Sequence, residues 1–140
     1  MYTYICKIIK VIDGDTIDVD IDLGFNIKLT NQRVRLASID APESRSTNKE
    51  EKQQGMLSKK KLEEKLPQGS MQTIQTVKVV DDDKFGRILG IFPLSDTLTV
   101  NQWMIDNNYA VFYTGENKDL IQEQHLFNRR KLIQLGELKL

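Results

Sequence analysis

Cysteine is nearly absent from this chain: Cys6 is the only one in 140 residues. That excludes an internal disulfide framework and a thiolate zinc centre, and Cys6 reads as a small apolar strand residue. Net charge is missing too, since 20 Lys and Arg balance 20 Asp and Glu. No global field therefore draws the chain to nucleic acid, and any such binding must come from a local arrangement of charge. No apolar run is long enough to cross a membrane, so no membrane partner is expected. The segment from Met1 to Lys7 lacks the basic start and long apolar stretch of a secretory leader. The expected location is the cytoplasm, or outside the cell where a leader has been removed. Internal repeats and low-complexity segments are absent.

What is present suits one folded domain over residues 1–140, with 39% hydrophobic and 29% charged residues. Tyr2 to Ile12 is rich in aromatic and β-branched residues and ends at the turn signal Asp13-Gly14. From Asp15 to Leu23 the pattern alternates, with Asp15, Ile17, Val19, Ile21 and Leu23 on one face. Gly24 to Asn26 turns the chain, Ile27 to Leu29 resumes a strand, and polar Thr30 to Gln32 suits a bulge. Val34 to Ile39 reads as the next strand, stopped by Pro42. Ser44 to Gln54 reads as a mobile loop, and Met56 to Leu66 as a helix ended by Pro67 and Gly69. Gln72 to Val80 and Ile88 to Leu94 are two further strands. A short helix follows a cap at Asp96 or Thr99, with Asn108 as its stop, and a last helix spans Asp119 to Leu135. The expected fold is α+β and mainly β: a five-stranded OB-fold-like barrel with about three helices.

The chemistry lies in a few carboxylates and arginines. Asp15 has the parity of the apolar residues that face the barrel, and Asp40 has the parity of Val34 and Leu36. A carboxylate on a buried face is costly unless a cation or arginine offsets it; a position at a wet strand end is the alternative. Asp18, Asp20 and Asp22 resemble a calcium loop, but Leu23 stands where the EF-hand requires Gly and Leu29 where it requires Glu. They read as the wet face of a strand. Glu43 follows Pro42 and lies three positions past Asp40, so a strand end can bring both to one pocket. Arg35 and Arg87 suit a two-pronged grip on phosphate, or a structural salt bridge. Lys59-Lys60-Lys61 and Arg129-Arg130-Lys131 read as solvated helix faces, and the single histidine, His125, as a structural or surface residue.

These segments together resemble the staphylococcal nuclease family. The resemblance runs in order through Val11-Ile12-Asp13-Gly14-Asp15-Thr16, Arg35-Leu36, Asp40-Ala41-Pro42-Glu43, Asp83-Lys84-Phe85-Gly86-Arg87, Val100-Asn101 and Glu123-Gln124-His125-Leu126. It implies an OB-fold nuclease that hydrolyses DNA, single- or double-stranded, and RNA as a further substrate. It implies that Asp15 and Asp40, with the backbone carbonyl of Ala41, bind Ca2+, that Glu43 acts as general base, and that Arg35 and Arg87 bind the scissile phosphate. It implies products with a 3′-phosphate and a 5′-hydroxyl. Lys84, Phe85 and Tyr113 are the implied nucleic-acid contacts, although Phe85 stands where a tyrosine hydroxyl is common and Tyr113 does not align without a gap. The span from Asp15 to Arg35 is longer than in the type member, so a protruding hairpin is expected with its tip at Leu23 to Asn26. The rival reading is an OB-fold module that binds nucleic acid or protein without cleaving it. The sequence leaves the oligomeric state open.

Overall fold

The computed structural model describes residues 1–77 and 88–140. Three predicted site residues, Lys84, Phe85 and Arg87, lie outside the described residues, as does the end of the strand read to Val80. In chain order the elements are β1 (Tyr2–Asp13), β2 (Thr16–Gly24), β3 (Ile27–Leu36), β4 (Ile39–Asp40), α1 (Lys49–Lys65), β5 (Met71–Val77), β6 (Ile88–Ile91), α2 (Val100–Asp106), β7 (Val111–Phe112) and α3 (Lys118–Gln134). Five strands close a barrel in the order β1-β2-β3-β6-β5, with β1 and β5 sealing it. Its pairs are antiparallel except β3 with β6. The expected OB-like barrel with three helices is the fold observed. Among the described residues no helix is long and apolar enough to cross a membrane.

Alternation explains the core. Cys6 and Ile8 from β1, Ile17, Val19 and Ile21 from β2, Val34 and Leu36 from β3 and Ile74 from β5 all point inward and are buried. Burying each such aliphatic side chain contributes on the order of 1.5–3 kcal/mol. The expected bulge is present: Thr30 and Asn31 together face Asp20, and Asn31 adopts a positive φ of 52°. The extra residue shifts β3 parity from odd to even, so exposed Ile27 and Leu29 precede buried Val34 and Leu36. The long hairpin turns at Phe25 and Asn26, both with positive φ (55° and 61°), as a right-twisted two-residue hairpin requires.

Two expectations are corrected. Ser44 to Gln54 is not all loop, because α1 begins at Lys49. Asn48 caps it by accepting from the Glu51 amide, Glu50 and Glu51 complement the positive helix end, and Gln54 and Gly55 are buried. The scarcity of apolar residues hid a helix whose inner face is made of small and polar groups. Val34 to Ile39 is not one strand either: β3 stops at Leu36, Ser38 takes a left-handed φ of 64°, and β4 then pairs with β7. The shared parity inferred for Leu36 and Asp40 therefore does not hold.

Asn101 holds that turn. Its side chain donates to the carbonyls of Ala37 (3.0 Å) and Gly90 (3.1 Å) and accepts from the Phe92 amide (3.2 Å). This buried residue ties α2 to β6 and to the bend that separates β3 from β4. Replacing Asn101 by Ala takes this partner from the Ala37 carbonyl and the Phe92 amide, at roughly 1–3 kcal/mol each, while the Gly90 carbonyl keeps the Ala37 amide. Asn101→Asp removes both donors while keeping shape. Both variants are expected to lose about 2–4 kcal/mol in urea unfolding; a loss under about 0.5 kcal/mol would show that the turn holds itself.

Candidate functional site

Register brings the first three predicted residues together. Thr16 pairs with Arg35 across β2 and β3, so the turn carrying Asp15 lies beside Arg35. Asp15 is 6% exposed. Its Oδ1 accepts from the Thr16 hydroxyl at 2.8 Å, and its Oδ2 accepts from the Ala41 amide at 2.9 Å. The left-handed step at Ser38 swings Asp40 back toward Arg35, whose Nη2 donates to Asp40 Oδ1 at 3.0 Å and lies 3.6 Å from Asp15 Oδ2. The same nitrogen reaches the Ile39 carbonyl at 3.3 Å. Two carboxylates, one from the β1–β2 turn and one from β4, thus converge on one guanidinium.

The two acids are treated differently by their surroundings. Burial dominates at Asp15 and pushes its carboxyl above the ordinary value, although Arg35, the Ala41 amide and the Thr16 hydroxyl pull it down. Burial is also the largest single influence on Asp40. There the hydrogen bond and charge of His125, with those of Arg35, outweigh it and hold the carboxyl below the usual range. Desolvation alone would lower Arg35, but its two carboxylate neighbours raise it instead.

Glu43 is exposed and lines a cavity of about 260 Å³ together with Asp40, Ala41, Tyr113, Lys118 and His125. The fold grips its backbone. An added Cβ at Gly55 of α1 would lie 2.4 Å from both the carbonyl carbon and oxygen of Glu43. Next door, Asp13 accepts from both the amide (3.1 Å) and the hydroxyl of buried Ser44. Tyr113, half-buried, donates its amide to the Ser38 carbonyl at 2.9 Å. Nearby Tyr109 is buried, packs at a tilt against Trp103 and donates its hydroxyl to Glu137.

Sequence reasoning missed four residues. His125, read as structural or surface, is not at the surface, and its contact with the site was not foreseen: the ring is buried and its Nε2 lies 2.8 Å from Asp40 Oδ2. Arg129 is not on a solvated face: it is 9% exposed, with Nε donating to Gln54 Oε1 (2.9 Å) and Nη1 to Glu50 (3.2 Å). Gln54 and Gly55 sat in a segment read as loop. The one available signal was the Glu-Gln-His-Leu match, which marks a place in the family and not a contact. Lys61 also does more than solvate its helix, sitting 5.7 Å from the Tyr109 ring centroid.

No cluster of three or more His, Cys, Asp or Glu side chains at metal-binding spacing occurs among the described residues. The donor types at Asp15 and Asp40 nevertheless fit a hard cation. Two carboxylates already share one positive charge, and buried Asp15 remains only partly compensated by it.

A family model described as staphylococcal nuclease homologue matches residues 33–133. Arg35, Asp40, Ala41, Glu43, Asn101, Tyr113 and His125 fall inside that range, whereas Asp13 to Thr16 precede it. A protein of Escherichia coli named "Uncharacterized endonuclease" is 31% identical over 113 residues, which cover 81% of this chain and 63% of that relative. A protein of the same name in Escherichia coli O157:H7 is 30% identical with the same coverage. The chain therefore spans 63% of the length of these curated relatives.

Two outcomes follow from this geometry. Because the folded-state pKa of Asp15 is raised, its penalty is absent below the ordinary value of 3.8 and complete once the pH exceeds the folded value. Asp15→Asn is expected to raise Tm at pH 7 in chelator, at roughly 2–4 °C per kcal/mol gained. The gain should shrink as the pH falls toward 4; thermal scans showing a lower Tm at pH 7 would contradict it. Gly55→Ala forces α1 away from Glu43. It is expected to destabilise by about 1–3 kcal/mol despite the better helix propensity of Ala, and a stabilised variant in urea unfolding would show that the helix shifts freely.

Proposed function

Because this chain belongs to the staphylococcal nuclease homologue family, we propose that it is a calcium-dependent nuclease that hydrolyses DNA phosphodiesters with little sequence preference, with RNA as a second substrate class. The observation that carries this reading is the convergence of Asp15 and Asp40 on Arg35 beside Glu43 and an open cavity.

Asp15, Asp40 and the Ala41 carbonyl would hold the metal. Bound there, calcium would supply positive charge to the phosphate as it is attacked. Glu43, exposed on the cavity wall, accepts the proton of the attacking water. The water oxygen forms a bond to phosphorus while the bond to the 5′ oxygen breaks, and a proton goes to that leaving oxygen. Arg35 and Arg87 donate to the non-bridging oxygens, where negative charge grows during attack. Arg35 already sits within reach of both carboxylates, so a phosphate competes with them for its donors. Tyr113, beside Asp40 and Glu43 in the cavity lining, would contact the nucleotide, and the family resemblance gives Lys84 and Phe85 the same role.

The test incubates single- and double-stranded DNA and RNA with the protein, in calcium or in chelator. Cleavage is expected with calcium only. Glu43→Ser should lower kcat by about 10²–10⁴-fold, and Arg87→Ala should lower activity steeply while both remain folded. Equal cleavage by wild type and Glu43→Ser would remove Glu43 as base. Tight oligonucleotide binding without cleavage would make the chain a binding module.

A further inference from the structure

His125 is the best-placed side chain at the site that the proposed mechanism does not use. Its Nε2 lies 2.8 Å from Asp40 Oδ2, and Arg35 occupies Oδ1 at 3.0 Å. The carboxylate is thus held at both ends, and its plane cannot turn without breaking one of these bonds. An ionised carboxylate has about four lone-pair sites, so two contacts fix its orientation and still leave acceptor capacity.

The main chain that carries this ring is held in turn. Gln54 of α1, 1% exposed, donates to the His125 carbonyl at 3.0 Å, and Arg129 of α3 donates to Gln54 Oε1 at 2.9 Å. Arg129 reaches on to Glu50. A chain of polar contacts therefore runs from exposed Glu50 through buried Arg129 and Gln54 to the His125 main chain, and from the His125 ring to Asp40, joining both long helices to β4. His125 Nδ1 is buried with no hydrogen-bond partner among the described residues. That orphaned nitrogen leaves Nε2 as the ring's working contact. A histidine serving only as packing would not need its one polar contact on a carboxylate already shared with an arginine.

We propose that His125 is a positioning residue that orients the Asp40 carboxylate for calcium binding. The inference rests on the calcium-dependent reading above. Outer partners of a ligating carboxylate typically change metal affinity by about 10–100-fold when removed.

Two substitutions separate orientation from packing. His125→Leu keeps an apolar side chain of useful volume and removes the donor; His125→Gln keeps an N–H donor at similar reach. Calcium alone is titrated into each protein by calorimetry, with Tm in chelator recorded alongside. His125→Leu is expected to bind calcium about 10–100-fold more weakly than wild type, with His125→Gln recovering most of that loss. In the cleavage assay, raising calcium should restore much of the rate to His125→Leu, as a defect in binding requires. Wild-type affinity in a folded His125→Leu protein overturns the inference and leaves the proposed function standing. So does a His125→Gln protein that is folded and as weak as the Leu variant. No calcium binding by wild type overturns the calcium reading itself, and this inference with it.

Discussion

One buried carboxylate organises this molecule. Asp15 projects from the turn after β1 into the barrel mouth, where water cannot solvate it and desolvation outweighs every compensating contact. Three of its neighbours lessen the penalty. The Ala41 amide fixes the segment after β4, Thr16 lends a hydroxyl, and Arg35 brings the charge. The charge then recruits Asp40, and Asp40 recruits His125 from α3. Each step brings a more distant part of the chain to the same corner of the barrel. A site that keeps an under-compensated acid gives up stability, a pattern common where activity sets the requirement.

Much of this was legible in the sequence, for a definite reason. Strand alternation has a period of two, so the inward direction of Asp15 follows from Ile17, Val19 and Ile21. The same argument failed at Asp40. It assumed unbroken strand from Val34, and Ser38 breaks the strand with a left-handed residue that no parity count detects. That break also lets Arg35 and Asp40, five positions apart, meet, because the two residues belong to different strands. His125, Gln54 and Arg129 were illegible because their contacts span 71 to 85 residues. Local patterns describe a residue's own helix face, and these three are defined by the face of another element.

The acidic stripe of β2 shows the opposite case, where a local reading was sound. Asp18 pairs with Arg33 through two hydrogen bonds of 2.9 and 3.1 Å, Asp20 accepts from the Asn31 amide in the bulge, and Asp22 accepts from the Gly24 amide in the turn. Each acid serves the hairpin's own register. Their spacing resembles a calcium loop because a strand exposes every second residue, and not because the three side chains meet at one point.

Glu43 completes the contrast. It is exposed, yet its position is tightly defined, because the fold holds the main chain and leaves the carboxylate to the cavity. Pro42 fixes the backbone just before Glu43, Asp13 binds Ser44 just after it, and Gly55 lets α1 press on the peptide between Glu43 and Ser44. Gly in a helix interior costs about 1 kcal/mol relative to Ala, and no turn at Gly55 explains that cost. The close approach does. A group that must exchange protons with water cannot be buried, so its precision has to come from backbone contacts. The helix glycine and the Asp13–Ser44 bonds together supply those contacts.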